Sequence, residues 1–167
     1  RWNYDGHEYT AQWGVNGLYE KRTAGQLPDV ENRYGIGIEA IRAEAFTKHA
    51  WEMEHEKESS LAFVFQGIYH KHDSFYGHKT YNAQQGNLYG NLVFMSNLVD
   101  HSNMHKIKAG VGVTADWLDE VILGNVVKTN NIVPGAFVEY TLNVDEKYVL
   151  LAGMRADYST KYGFYFT

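Results

Sequence analysis

Lys106-Ile107-Lys108-Ala109-Gly110-Val111-Gly112-Val113-Thr114-Ala115-Asp116-Trp117 alternates without a break. Ile107, Ala109, Val111, Val113, Ala115 and Trp117 share one parity, and Lys106, Lys108, Gly110, Gly112, Thr114 and Asp116 share the other. Successive strand side chains point to opposite faces, so the stretch predicts a β-strand with one apolar face and one polar or small face. Its length exceeds the usual strand of about 5–6 residues. It reaches the roughly 9–11 residues that a tilted strand needs to cross a bilayer.

The same pattern recurs outward from this stretch. Tyr148, Leu150, Ala152, Met154, Ala156 and Tyr158 interleave with Val149, Leu151, Gly153, Arg155 and Asp157. Tyr9, Ala11, Trp13, Val15, Gly17 and Tyr19 interleave with Thr10, Gln12, Gly14 and Asn16, with Leu18 the exception. Ala136, Val138, Tyr140 and Leu142 form a shorter version. Leu61–Tyr69 is apolar on both parities, and Asn87–Val99 alternates loosely around Leu88, Leu92, Phe94 and Leu98. Ile36–Met53 suits a strand through Ile41, Ala43, Ala45, Thr47 and Trp51, yet its Ala and Glu residues favour a helix by propensity. The context of neighbouring strands favours the strand.

Composition narrows the class. The chain has 167 residues and a net charge of −5, and its 44% hydrophobic and 21% charged residues are usual for a folded protein. Cys 0 removes disulfides, thiolate metal sites and cysteine nucleophiles. The negative charge, with no basic cluster, argues against nucleic acid as a partner. The longest uncharged run, Thr80–Val99, carries Asn82, Gln84, Gln85, Asn87, Asn91 and Asn97 and is too polar for a membrane helix of about 20 apolar residues.

The connections read as alternately short and long. Glu54–Ser59, Asp100–Asn103 and Asn143–Lys147 are short, whereas Arg22–Tyr34, Asp73–Gly86 and Leu118–Asn131 read as long loops. Short turns at one end of an antiparallel meander, and long loops at the other, are the layout of a transmembrane β-barrel. Tyr9, Tyr19, Trp51, Trp117, Tyr148 and Tyr158 stand near the ends of the apolar rows, where interfacial aromatic girdles sit. The fold class expected is therefore all-β: an antiparallel up-and-down transmembrane β-barrel segment, part of a larger barrel. Residues 1–167 are expected to form a single partial domain of seven to eight strands. Both ends read as cut, with Arg1 at the start and the strand-like Tyr162-Gly163-Phe164-Tyr165-Phe166-Thr167 at the finish.

Val133-Pro134-Gly135-Ala136-Phe137-Val138-Glu139-Tyr140, followed by Glu146 to Tyr158, resembles TonB-dependent outer-membrane receptors of the type found in Bacteroidetes. The ending Tyr162–Thr167 is similar to the same family, as are Tyr19–Gln26, Asn32–Gly37 and Asp73–Gly77. The resemblance touches most of the chain, but its pieces are structural and silent about the ligand. It implies a barrel of about 22 strands with a plugged lumen, in the bacterial outer membrane. The implied activity is not enzymatic: active uptake of a scarce ligand, such as a siderophore or other metal chelate, cobalamin, haem or glycan. The implied partners are outer-membrane lipid, the protein's own plug domain, the TonB complex through segments outside this stretch, and a small-molecule or metal-chelate ligand; no cofactor is implied. The plug domain and the remaining strands have no counterpart in this sequence.

Candidate site residues follow from the parity. His70, His72, Asp73 and His78 cluster in a stretch leading into an expected extracellular loop, and imidazole and carboxylate are competent metal ligands. Their spacing matches no closed metal site, so they stand as ligand-binding candidates of unknown metal. Arg42 with Glu44, and Arg155 with Asp157, fall on the polar parity as lumen-facing charges, because a charge facing lipid at midplane would cost about 2–4 kcal/mol. His49 and His55 flank a short turn and are expected at an interface. Two other readings compete: a complete eight-stranded outer-membrane barrel with a structural or adhesive role, and a soluble carrier of lipocalin type. In the carrier, Ile107, Val111, Leu150 and Met154 would line an apolar cavity. An outer-membrane hydrolase ranks last.

Overall fold

The computed structural model describes residues 1–26, 34–54, 58–98, 104–144 and 147–167. They form one antiparallel sheet of nine strands in sequence order. The strands are β1 (Trp2–Asp5), β2 (Tyr9–Gly25), β3 (Gly35–Glu54), β4 (Ser59–Tyr76), β5 (Lys79–Asn97), β6 (His105–Ile122), β7 (Asn125–Val144), β8 (Tyr148–Ser159) and β9 (Gly163–Phe166). Each strand touches only its sequence neighbours, so among the described residues no second layer covers either face and β1 does not meet β9. The up-and-down antiparallel architecture read from the alternation is what the chain adopts, with nine strands rather than seven to eight. β1, four exposed residues without alternation, carried no signal in the sequence.

Ile36–Met53 is strand. β2 pairs with β3 from Gly35 to Trp51, and β4 pairs with it from Ile36 to Glu54. Hydrogen bonding along both edges outweighs a helix preference worth less than about 0.7 kcal/mol per residue.

The expected long loops after β4 and β6 are strand instead. β4 and β5 stay in register from Ser60↔Met95 to Tyr76↔Lys79, and β6 and β7 from His105↔Leu142 to Ile122↔Asn125. Two-residue turns close them: Gly77-His78, with Gly77 at φ 61°, and Leu123-Gly124, with φ 52° and 86°. Both central residues of the second turn lie at positive φ, as a type I′ hairpin requires. The arms looked like loops because beyond Tyr69 and Trp117 polar residues occupy both parities. Asp100–Asn103 and His55 lie outside the described residues, as do parts of the Glu54–Ser59, Asn143–Lys147 and Arg22–Tyr34 connections.

The register gathers every apolar row onto one face. Val15↔Ala45↔Gly67↔Leu88↔Ala115↔Ile132 is one such row, and Ala11↔His49↔Phe63↔Leu92↔Val111↔Ala136↔Ala156 is another. This apolar face is the more exposed one. In β7, Ile132, Pro134, Ala136 and Val138 are exposed, while the intervening Asn131, Val133, Gly135, Phe137 and Glu139 are partly covered. Val111 is 55% exposed, Val113 42% and Leu150 60%. Ala11 is the one buried apolar side chain among the described residues, whereas Ser59, Ser74, Ser96, Asn97, Asp157 and Ser159 are buried. With no second layer, partial coverage of the polar face means that the sheet curls around it.

The apolar face is bounded at both ends. Tyr9 and Trp51 stack at one margin, with ring centroids 5.4 Å apart. At the other margin stand Tyr19, Tyr69 and Trp117, and Trp117 covers Gly86, its register partner, so closely that a Cβ there would collide with the indole. Immediately beyond, the same face turns charged: Lys21↔Glu39↔Asp73↔Asn82 form one row and Lys71, Asp119 and Lys128 sit nearby. The margins also shift along the sheet. The row of Tyr9 passes through Trp51, Leu61, Phe94, Ala109 and Val138 to reach Met154, six positions after the margin residue Tyr148. Six residues of stagger over six strand-to-strand steps correspond to a tilt of about 35°, at roughly 3.3 Å per residue and 4.8 Å per strand.

Candidate functional site

The polar face carries the chemistry, and adjacent strands tie its side chains together. Gln66 donates to Glu44 at 2.7 Å, Asn87 to Asp116 at 2.6 Å, and Tyr81 to Glu120 at 2.8 Å. Each pair bridges neighbouring strands, because residues in register share a face. These partners were visible only as single polar residues in separate runs; the signal that joins them is register.

Arg42 and Glu44 both lie on the polar face, as their parity requires, with Arg42 Nη2 3.6 Å from Glu44 Oε2. Arg155 and Asp157 lie there too and form a two-pronged pair: Nε donates to Oδ2 at 2.6 Å and Nη2 to Oδ1 at 2.7 Å. Asp157 is 5% exposed. The pair lies flat across Gly135, the register partner of Asp157, where a Cβ would overlap the carboxylate.

The histidine group is not one site. His70 and His72 sit on β4, not in a loop, and share the polar face with ring centroids 6.3 Å apart. Tyr81, Gln85 and Glu120 complete a shallow depression of about 310 Å³ around them. Asp73 has the opposite parity and pairs with Lys71 at 2.8 Å on the outward row. His78 is exposed in the two-residue turn. Among the described residues, no three His, Asp or Glu side chains converge as a metal would need. Period two explains the failure: residues 72 and 73 cannot face the same way in a strand. Across the β5–β6 pairing the Glu120 carboxylate, accepting from Tyr81, raises the phenol above its ordinary value.

On the apolar face His49 is fully engaged. Tyr9 OH and His49 Nδ1 are 2.6 Å apart, as are Thr47 Oγ1 and His49 Nε2, so the imidazole needs no water at either nitrogen. His105 and Tyr140 repeat the pairing at 2.6 Å near the same end of the sheet. No family model matches the chain, and neither a curated protein nor a solved structure does.

Proposed function

We propose that this chain is part of the wall of an outer-membrane β-barrel of TonB-dependent receptor type, a transporter that takes up a scarce ligand. The observation that carries the reading is the inverted polarity: apolar rows on the more exposed face and polar side chains on the enclosed face. Nine positions from Leu61 to Tyr69, and eleven from Ile107 to Trp117, cover about 23–28 Å of bilayer at a tilt near 40°, close to the roughly 25 Å apolar band of such barrels. The tilt of about 35° inferred from the staggered margins falls in their range of about 35–45°. The polar face then lines the bore, where Arg42, Glu44, Arg155 and Asp157 meet water, plug or ligand. The hairpins beyond Tyr69 and Trp117 project past the lipid.

The competing readings fare worse on specific observations. A complete eight-stranded barrel has no unpaired edge, whereas among the described residues β1 pairs only with β2 and β9 only with β8. A lipocalin-type carrier encloses its apolar face, which here is the open one. The transport assignment itself rests on the resemblance of Val133–Tyr140, Glu146–Tyr158 and Tyr162–Thr167 to the receptor family. The test uses the full-length protein in its own cell. It should stay in the outer-membrane fraction after alkaline carbonate washing, and ligand accumulation by cells carrying it should stop when the proton-motive force is collapsed. Release of the protein by carbonate would contradict the barrel, and uptake insensitive to the collapse would contradict TonB dependence.

A further inference from the structure

Midway along the polar face the row Asn91↔Gly112↔Gly135↔Asp157↔Tyr165 places two glycines side by side; the Arg155–Asp157 pair lies over Gly135, and the backbone of Gly112 forms the floor of a gap between two walls. Asn91 bounds the gap on one side. Arg155, Asp157 and Tyr165 bound it on the other, and Tyr89, Thr114 and Val133 stand in the next row; together they line a niche of about 320 Å³. Asp157 occupies only the Nε–Nη2 edge of the guanidinium. The Nη1–Nη2 edge has no other partner among the described residues, and the Arg155 side chain remains 51% exposed. A planar two-oxygen acceptor matches that edge. The hydroxyls of Tyr89, Thr114 and Tyr165 and the amide of Asn91 add further donors around it.

We propose that this niche binds a carboxylate group of a small molecule, held end-on by Arg155. The inference rests on the polar face being the wall of the bore and adds the chemistry of what it receives. The net charge of the Arg155–Asp157 pair is zero, so a compact dianion gains little there, while a single carboxylate meets the guanidinium and stands off from Asp157 across it. Asp157 is a positioning residue: buried and two-pronged, it fixes the plane of the guanidinium.

The test is isothermal titration of the full-length protein in detergent with succinate, using succinamide as its neutral isostere and inorganic phosphate as a compact anion. Succinate should bind saturably and at least tenfold more tightly than either control. Arg155→Gln should weaken it at least tenfold, and Arg155→Lys should recover only part, because the charge returns without the fork. Failure of the wild type to bind succinate overturns the proposal, including the case in which a carboxylate of the protein itself fills the niche. Equal binding by Arg155→Gln, or by phosphate, overturns it as well. A spin label at Val111 in the same preparation separates this failure from that of the barrel reading: a label in detergent with no succinate binding sinks the niche alone, and a label in water sinks both.

Discussion

The lower and upper halves of the β4–β5 and β6–β7 hairpins are the same kind of backbone with different side chains. Below Tyr69 and Trp117 one face is Phe63, Phe65, Leu88, Leu92, Val111 and Val113; above, the same face carries Lys71, Asp73, Gln84, Asp119 and Lys128. The ladder of hydrogen bonds runs through both without interruption. Under the barrel proposal what changes is the medium that the outward side chains meet, and the contrast teaches that the alternation reports surroundings rather than strand structure.

The sharpest way to break that contrast is to place the same charge on either side of the boundary. Val111→Arg, at mid-band, should cost about 2–4 kcal/mol and lower assembled protein in the membrane, whereas Val126→Arg in the projecting arm should cost about 0–1 kcal/mol. Quantifying folded protein in purified outer membranes checks both, and equal losses would erase the boundary. Glycine substitutions come next. Gly86→Ala pushes a methyl into the Trp117 ring that covers it and should cost about 1–3 kcal/mol by overpacking. Gly77→Ala, at φ 61° in the hairpin tip, should cost about 1–2 kcal/mol from backbone alone. Denaturant titration of folding into lipid would read both.

How much was legible follows the same boundary. Where polar and apolar residues separate cleanly by parity, as from Lys106 to Trp117 or Tyr148 to Tyr158, the alternation reveals both the strand and its faces, and it places Arg155 and Asp157 on the polar one. Where both faces carry polar residues, as over much of Asp73–Gly86, parity fades and paired strands read as loop. The histidine group failed for that reason, since His72 and Asp73 look like neighbours until a strand sends them to opposite sides. The niche beside Arg155 was out of reach because Gly112 and Gly135 become adjacent only through register, with 22 intervening residues of hairpin.

Smaller effects belong to the polar ends of the hairpins. Leu123 holds φ 52°, a region that Asn adopts with less strain, so Leu123→Asn should stabilise the β6–β7 hairpin by about 0.5–1 kcal/mol, visible as slower amide exchange near the tip. Tyr81→Phe should weaken the β5–β6 contact by about 0.5–1.5 kcal/mol. Because Glu120 raises the Tyr81 phenol, that contribution is complete below the ordinary tyrosine value near 10 and is lost as pH climbs through the raised one. The difference between wild type and variant should therefore shrink only in strong alkali, measured by local exchange rates.

The central claim is which face touches lipid, and spin labels placed one at a time from Ala109 to Ala115 in the full-length protein, reconstituted in bilayers, test it most directly. This chain has no cysteine of its own to confuse the labelling. Labels at 109, 111, 113 and 115 should be accessible to oxygen and shielded from a water-soluble nickel complex, with the reverse at 110, 112 and 114. Nickel accessibility at 111 and 113, or no alternation at all, would contradict the account.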